Sequence, residues 1–155
     1  MNIHDATDYL IQQVCESGES LSNLKLQKLM YYVQAWFLAF EGKKFFESDF
    51  QAWVHGPVSW EIYNRFSTTK SLYAEITEDD IRETFTPDKL TDDERKHIDN
   101  VLSVYAKLSG PQLEEMTHRE SPWLDARGGL KSWERCENTI SASNMESFYK
   151  ARLQE

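Results

Sequence analysis

The sequence predicts a mainly α protein: one compact helical bundle over residues 1–155, with a small β element (a short strand or hairpin) ahead of the third helix. Three observations carry that prediction. Apolar residues recur at helical spacing through most of the 155 residues. One short stretch, 50–55, alternates instead with the period of a strand. Gly and Gly-Pro punctuation falls between the periodic runs rather than inside them. The length is that of a single domain with room for one core.

Asp5 is placed to cap a first helix running to about Ser17, with Ala6, Leu10, Ile11 and Val14 on one stripe and Gly18 beyond its end. Ser22 reads as the N-cap of a second helix, with Leu21 and Leu26 set for a hydrophobic staple. That helix carries Leu26, Leu29, Met30, Val33, Trp36, Phe37 and Phe40 on one face and Tyr31, Ala35 and Leu38 on another, before Gly42 stops it. A helix apolar around so much of its circumference belongs at the centre of the molecule. Trp36 is therefore expected to be buried, and Trp36→Ala to cost about 3–5 kcal/mol and unfold the protein.

Phe50, Ala52 and Val54 then alternate with Gln51, Trp53 and His55. Gly56-Pro57 is expected to open the third helix, with Pro57 at the first position, where its missing N–H costs nothing, and Val58, Ile62, Tyr63 and Phe66 facing inward. From Thr68 to Pro87 the pattern weakens into an acidic surface loop that carries Glu75, Glu78, Asp79, Asp80 and Glu83. Thr91 and Glu94 form a capping box ahead of Ile98, Val101, Leu102, Tyr105 and Leu108. Gly110-Pro111 breaks that helix and starts a short one to about His118, which Pro122-Trp123 ends; Gly128-Gly129 marks a loop. Ser143 and Glu146 read as a second capping box, opening a terminal helix striped by Met145, Phe148, Tyr149 and Leu153.

Charge narrows the function. Lys plus Arg number 17 against 26 Asp plus Glu, a formal net charge of −9. An extended phosphate-binding surface needs clustered cations, so no direct nucleic-acid partner is expected, and Lys25, Lys28, Lys43 and Lys44 read as solvated helix surface. Cys15 and Cys136 form no CxxC pair and imply neither a zinc framework nor a disulfide scaffold. No signal-peptide pattern and no membrane-length apolar run is present, so a cytoplasmic protein without membrane contact is expected.

Few residue sets ask for catalysis. Glu94-x-x-His97 and Glu115-x-x-His118 match the pair that di-iron bundles place on two helices, but the central helix supplies no inward carboxylate to complete such a site. GxSxG, HExxH and Gly-rich phosphate loops are missing from the sequence. No catalytic residue, metal or cofactor is expected. A metal-dependent or hydrolytic enzyme is the weakest of the readings considered.

Three motifs carry a resemblance. Leu24-x-Leu26-Gln27-Lys28-Leu29-x-Tyr31-Tyr32-x-Gln34-Ala35-Trp36-x-Leu38-Ala39, then Phe50-x-Ala52-Trp53-x-x-Gly56-Pro57-Val58 with Tyr63, then Leu113 with Thr117-His118 and Pro122-Trp123-x-x-Ala126 occur in order over most of the chain. Together they resemble the Panacea domain family of SocA-like or GepA-like antitoxins. Ala35 stands where the family often has glycine, and Phe37 where it often has histidine. The resemblance implies a bacterial or prophage-encoded antitoxin that neutralises a cognate protein toxin, encoded nearby, by direct binding. It also offers an alternative, an adaptor handing its partner to a ClpXP-type protease. The chain starts close to the domain, so the N-terminal DNA-binding segment of many members, and control of its own promoter, are not expected. Leu26, Gln27, Lys28, Tyr31, Trp36, Gly56, Pro57, Val58, His118, Pro122 and Trp123 are expected to hold the scaffold, because these residue types at these spacings build cores and turns. Diverse partners call for a contact surface off the packing stripes. Trp53, His55, Trp60 and Glu61 are expected to form it, with Asp79, Asp80 and Glu83 steering a basic partner, and the loop around Trp133 as the next place to look.

Overall fold

The computed structural model describes residues 1–153. Seven α-helices and one two-stranded hairpin make up the regular structure of these residues. Helix α1 (Ile3–Glu16) leads to α2 (Asn23–Glu41), the strands β1 (Phe50–Trp53) and β2 (Gly56–Ser59), and α3 (Trp60–Phe66). After a long loop holding two single 3-10 turns come α4 (Asp92–Tyr105), α5 (Gly110–His118), α6 (Ser121–Arg127) and α7 (Ala142–Arg152). Among the described residues, no helix is long and apolar enough to cross a membrane.

Helix α2 is the axis of the molecule, with α4, α5, α7 and β2 packed around it. Every residue from Leu24 to Ala35 is buried. The ends are those its sequence specifies: Ser22 Oγ accepts from Lys25 N at 3.1 Å, and Gly42 closes the last turn at φ 70°. Enclosing so many polar side chains requires partners for them. Gln34 accepts from the Phe45 and Phe46 amides and donates to the Phe46 carbonyl, which fixes the loop that returns the chain to β1. Tyr32 and Tyr149 both donate to the buried carboxylate of Glu120, at 2.8 and 2.7 Å, tying α2, α7 and the start of α6 together. Burial pushes the Glu120 carboxyl above its ordinary range.

Several boundaries differ from the sequence reading. Asn2, not Asp5, caps α1, its Oδ1 accepting from the His4 and Asp5 amides, while Asp5 sits in the first turn and binds Arg82. Ser141, not Ser143, caps α7. Pro122 starts α6 rather than ending α5, as proline in a first turn can. The largest change concerns Gly56-Pro57, which lies in β2 and not in a helix. Trp53 pairs with Gly56 and Gln51 with Val58, leaving Val54 and His55 as a two-residue turn. Ser59 then caps α3 through its Oγ. Pro57 is tolerated because its carbonyl, and so the side that lacks an N–H, faces away from β1.

Trp36 is half-buried rather than sealed. Its Nε1 donates to Tyr105 Oη at 2.8 Å, and its ring lies beside Tyr149 and the exposed Phe40. The expected cost of Trp36→Ala falls accordingly, to about 2 kcal/mol, since part of the ring is already in water. The variant should be soluble and melt cooperatively in urea; failure to fold would place that ring in the core after all.

Candidate partner-binding site

The three sequence motifs converge on the hairpin. From α2, the Gln27 side chain acts as a further strand: Oε1 accepts from Ser59 N at 2.8 Å and Nε2 donates to Ser59 O at 3.2 Å. Lys28 Nζ donates to Pro57 O at 2.9 Å, so two side chains close the outer edge of β2. On the other edge, Ala52 N donates to Asn138 O and Ile140 N donates to Phe50 O. From α6, Trp123 Nε1 donates to Trp53 O at 2.9 Å and Arg127 donates to Ala52 O at 2.9 Å. The His118 ring stacks on Trp123 at 4.1 Å, and burial lowers its pKa.

Gly56 is where the three motifs meet. Its φ is +100°, and a Cβ there would stand 2.6 Å from Lys28 Cε and 2.9 Å from Thr117 Oγ1. Lys28 itself is fully buried, and burial pulls its pKa from 10.5 down to about 7. The cradle is thus built from α2, α5 and α6, and what it holds is one short hairpin.

That hairpin and α3 present aromatic rings. Trp53 meets Tyr63 edge-on at 5.0 Å, Tyr63 stacks against Trp60 at 5.3 Å, and Trp53 and Trp60 lie 6.4 Å apart. Trp60 is 48% and Tyr63 38% exposed, whereas Trp53 is half-buried with its indole N–H given to Gln51. Tyr63 is the member that sequence reasoning placed in the core. Its position three residues after Trp60 was the available signal, since i and i+3 share a helix face. Beside the patch runs a groove of about 460 Å³ between the start of α2, the hairpin, the end of α3 and residues 135–137.

The other proposed contact residues have different surroundings. His55, at the hairpin turn, is exposed and pairs with Glu114 at 2.8 Å. Glu61 accepts from Ser48 and Ser59, which fixes the start of α3. Asp80 is engaged in a capping box with Thr77 and pairs with Lys70 at 3.3 Å. Asp79 lies in a separate depression with Cys15, Glu75 and Glu78, while Glu83 is exposed. Arg82 and Arg65 both bind the fully buried Asp8, so this acidic loop is pinned to α1. The structure gathers Trp53, Trp60 and Tyr63, and does not bring Asp79 into their patch. Trp133 stands 73% exposed on the loop that rims the groove.

The metal-like pairs have local roles. Glu94 completes the capping box with Thr91, His97 Nε2 lies 2.8 Å from Val33 O, and Glu115 pairs with Arg119. Among the described residues, no group of three potential ligands gathers.

Gln27, Lys28, Trp123 and Arg127 thus spend their polar groups on holding one hairpin. The chain matches the family described as antitoxin SocA-like, Panacea domain, over residues 26–124, and it belongs to that family. Antitoxin SocA from Caulobacter vibrioides (strain NA1000 / CB15N) is 31% identical over 115 residues, covering 66% of this chain. The aligned part spans 58% of that relative's length. No solved structure matches.

Proposed function

We propose that this chain is an antitoxin, neutralising a protein toxin by binding it directly, with Trp53, Trp60 and Tyr63 at the contact. The family membership supports the first half of that statement. The observation that carries the second is the exposed Trp60–Tyr63 stack on α3, directly after a hairpin held by hydrogen bonds from α2 and α6. Rigid, half-exposed Trp and Tyr side chains are the usual anchors of protein interfaces. The −9 net charge favours encounter with a basic partner at long range.

The test is co-expression with the product of the adjacent gene. Growth arrest by that product should be relieved by the wild-type chain. Trp60→Ala should melt within about 0.5 kcal/mol of wild type, because its ring is already half in water, yet lose relief and weaken binding by about 2 kcal/mol or more. Relief that persists in both Trp60→Ala and Tyr63→Ala removes the contact from this patch. Relief that needs ClpXP would instead favour the adaptor reading.

A further inference from the structure

The groove beside the aromatic patch has a charge opposite to that of the whole chain. Lys28, His55, Lys70 and Arg135 line it, and Glu137 is the one carboxylate among the described residues that do so, in a protein with 26 acidic and 17 basic residues. Three of these four side chains have a carboxylate at hand: His55 has Glu114, Lys70 has Asp80 and Arg135 has Glu137. Lys28 differs. It is fully buried at the floor, and among the described residues its hydrogen-bond acceptor is the carbonyl of Pro57 alone. Lys25, three residues earlier on the same helix, has two carbonyl acceptors, Ser20 O and Ala106 O. Buried ammonium groups are ordinarily matched by a counter-charge. Glu114, the carboxylate whose charge acts on Lys28, is itself engaged by His55.

The apolar part of the lining is made by Leu24, Val54, Val58 and Leu72 with the rings of Trp53 and Tyr63. A volume of about 460 Å³ lies within the range of sites that enclose a ligand of a few side chains. We infer that this groove seats an extended segment of the partner protein that sets an Asp or Glu carboxylate between apolar side chains. The carboxylate lies over the floor, completing the charge balance of Lys28 with Lys70 and Arg135 on the rim, and the apolar neighbours cover Leu72 and the Trp53–Tyr63 pair. Local complementarity of this kind is separate from the long-range field of the −9 chain and selects the partner segment rather than speeding encounter. The inference rests on the direct-binding reading above and names the chemistry of what is bound.

Two blocked pentapeptides test it, acetyl-Leu-Glu-Leu-Glu-Leu-amide and its glutamine counterpart, titrated into the ¹⁵N-labelled full chain. The acidic peptide should move the Trp53 indole and the Val54 and His55 amide resonances saturably, and the glutamine peptide should bind at least about tenfold more weakly. Lys28→Met should erase that preference. Lys70→Gln with Arg135→Gln, which leaves the core untouched, should reduce it should the Lys28 variant fail to fold. Equal response to both peptides, or an acidic peptide that moves nothing in the groove, overturns the inference. The broader reading fails separately: wild-type neutralisation by the Lys28 and rim variants would sink the groove while leaving the antitoxin intact. A neighbouring gene product that causes no arrest would sink the antitoxin instead.

Discussion

Gly56→Ala is expected to lower stability by about 2–5 kcal/mol, out of the 5–15 kcal/mol that a domain of this kind possesses. Two effects add. At φ +100° any side chain strains the backbone, and the new Cβ must also push into Lys28 Cε at 2.6 Å and Thr117 Oγ1 at 2.9 Å. Lys28 cannot swing aside, since it is fully buried and held by Pro57 O. Gly128 separates the terms: its φ is +60°, but a Cβ there meets nothing within 4 Å. Gly128→Ala should therefore cost about 1 kcal/mol, the backbone part alone. Urea midpoints for the two variants decide it. Equal losses would mean that Lys28 and Thr117 move freely and that the cradle around Gly56 is loose.

The same residue shows where sequence reasoning stops. Gly-Pro suits a strand-to-helix turn and a strand edge equally well by local rules. What settles it is non-local: Gln27 and Lys28, some thirty residues earlier, reach the outer edge of β2 and make Gly56–Ser59 extended. Elements fixed by short-range chemistry were legible, as with Ser22 and Gly42 around α2 and the Thr91–Glu94 box of α4. Where two cap-competent residues lay close together, as with Ser141 and Ser143, spacing did not choose between them. Trp36 belongs to the apolar face of α2, but it lines a surface depression with the exposed Phe40 and Val104, while Leu38 and Ala39 beyond it are in the core. Trp60 was readable as off the stripe formed by Ile62 and Phe66, and it is exposed. The groove was not readable, because its walls come from four separated stretches of chain that only the fold brings together.

Lys28 leads to the second large effect, a stability that rises with pH above neutrality. In the unfolded chain the amine titrates near 10.5, and in the folded protein burial brings this to about 7. Below pH 7 both states carry the proton, and the folded state bears the full cost of a buried ammonium. Between pH 7 and 10.5 the unfolded state holds more protons than the folded one, so each step upward in pH favours folding. A shift of this size corresponds to about 4–5 kcal/mol when integrated. The rise should end near pH 10, because Tyr9, Tyr31, Tyr32, Tyr105 and Tyr149 are all raised above 10 by burial, and the unfolded state then loses their protons first. Lys28→Met retains the aliphatic stem and removes the charge, so most of the rise between pH 7 and 9.5 should vanish, leaving the opposed contributions of Lys25, lowered by burial, and Cys15, raised by it. At pH 7 it should equal or exceed wild type, unless the stranded Pro57 carbonyl costs more than the ammonium did; such a carbonyl accounts for about 1–3 kcal/mol. Chemical denaturation across this range reads both quantities at once. A wild-type curve as flat as the variant's would show that the ammonium has a counter-charge or water in the folded protein, and that the floor of the groove is wetter than its burial indicates.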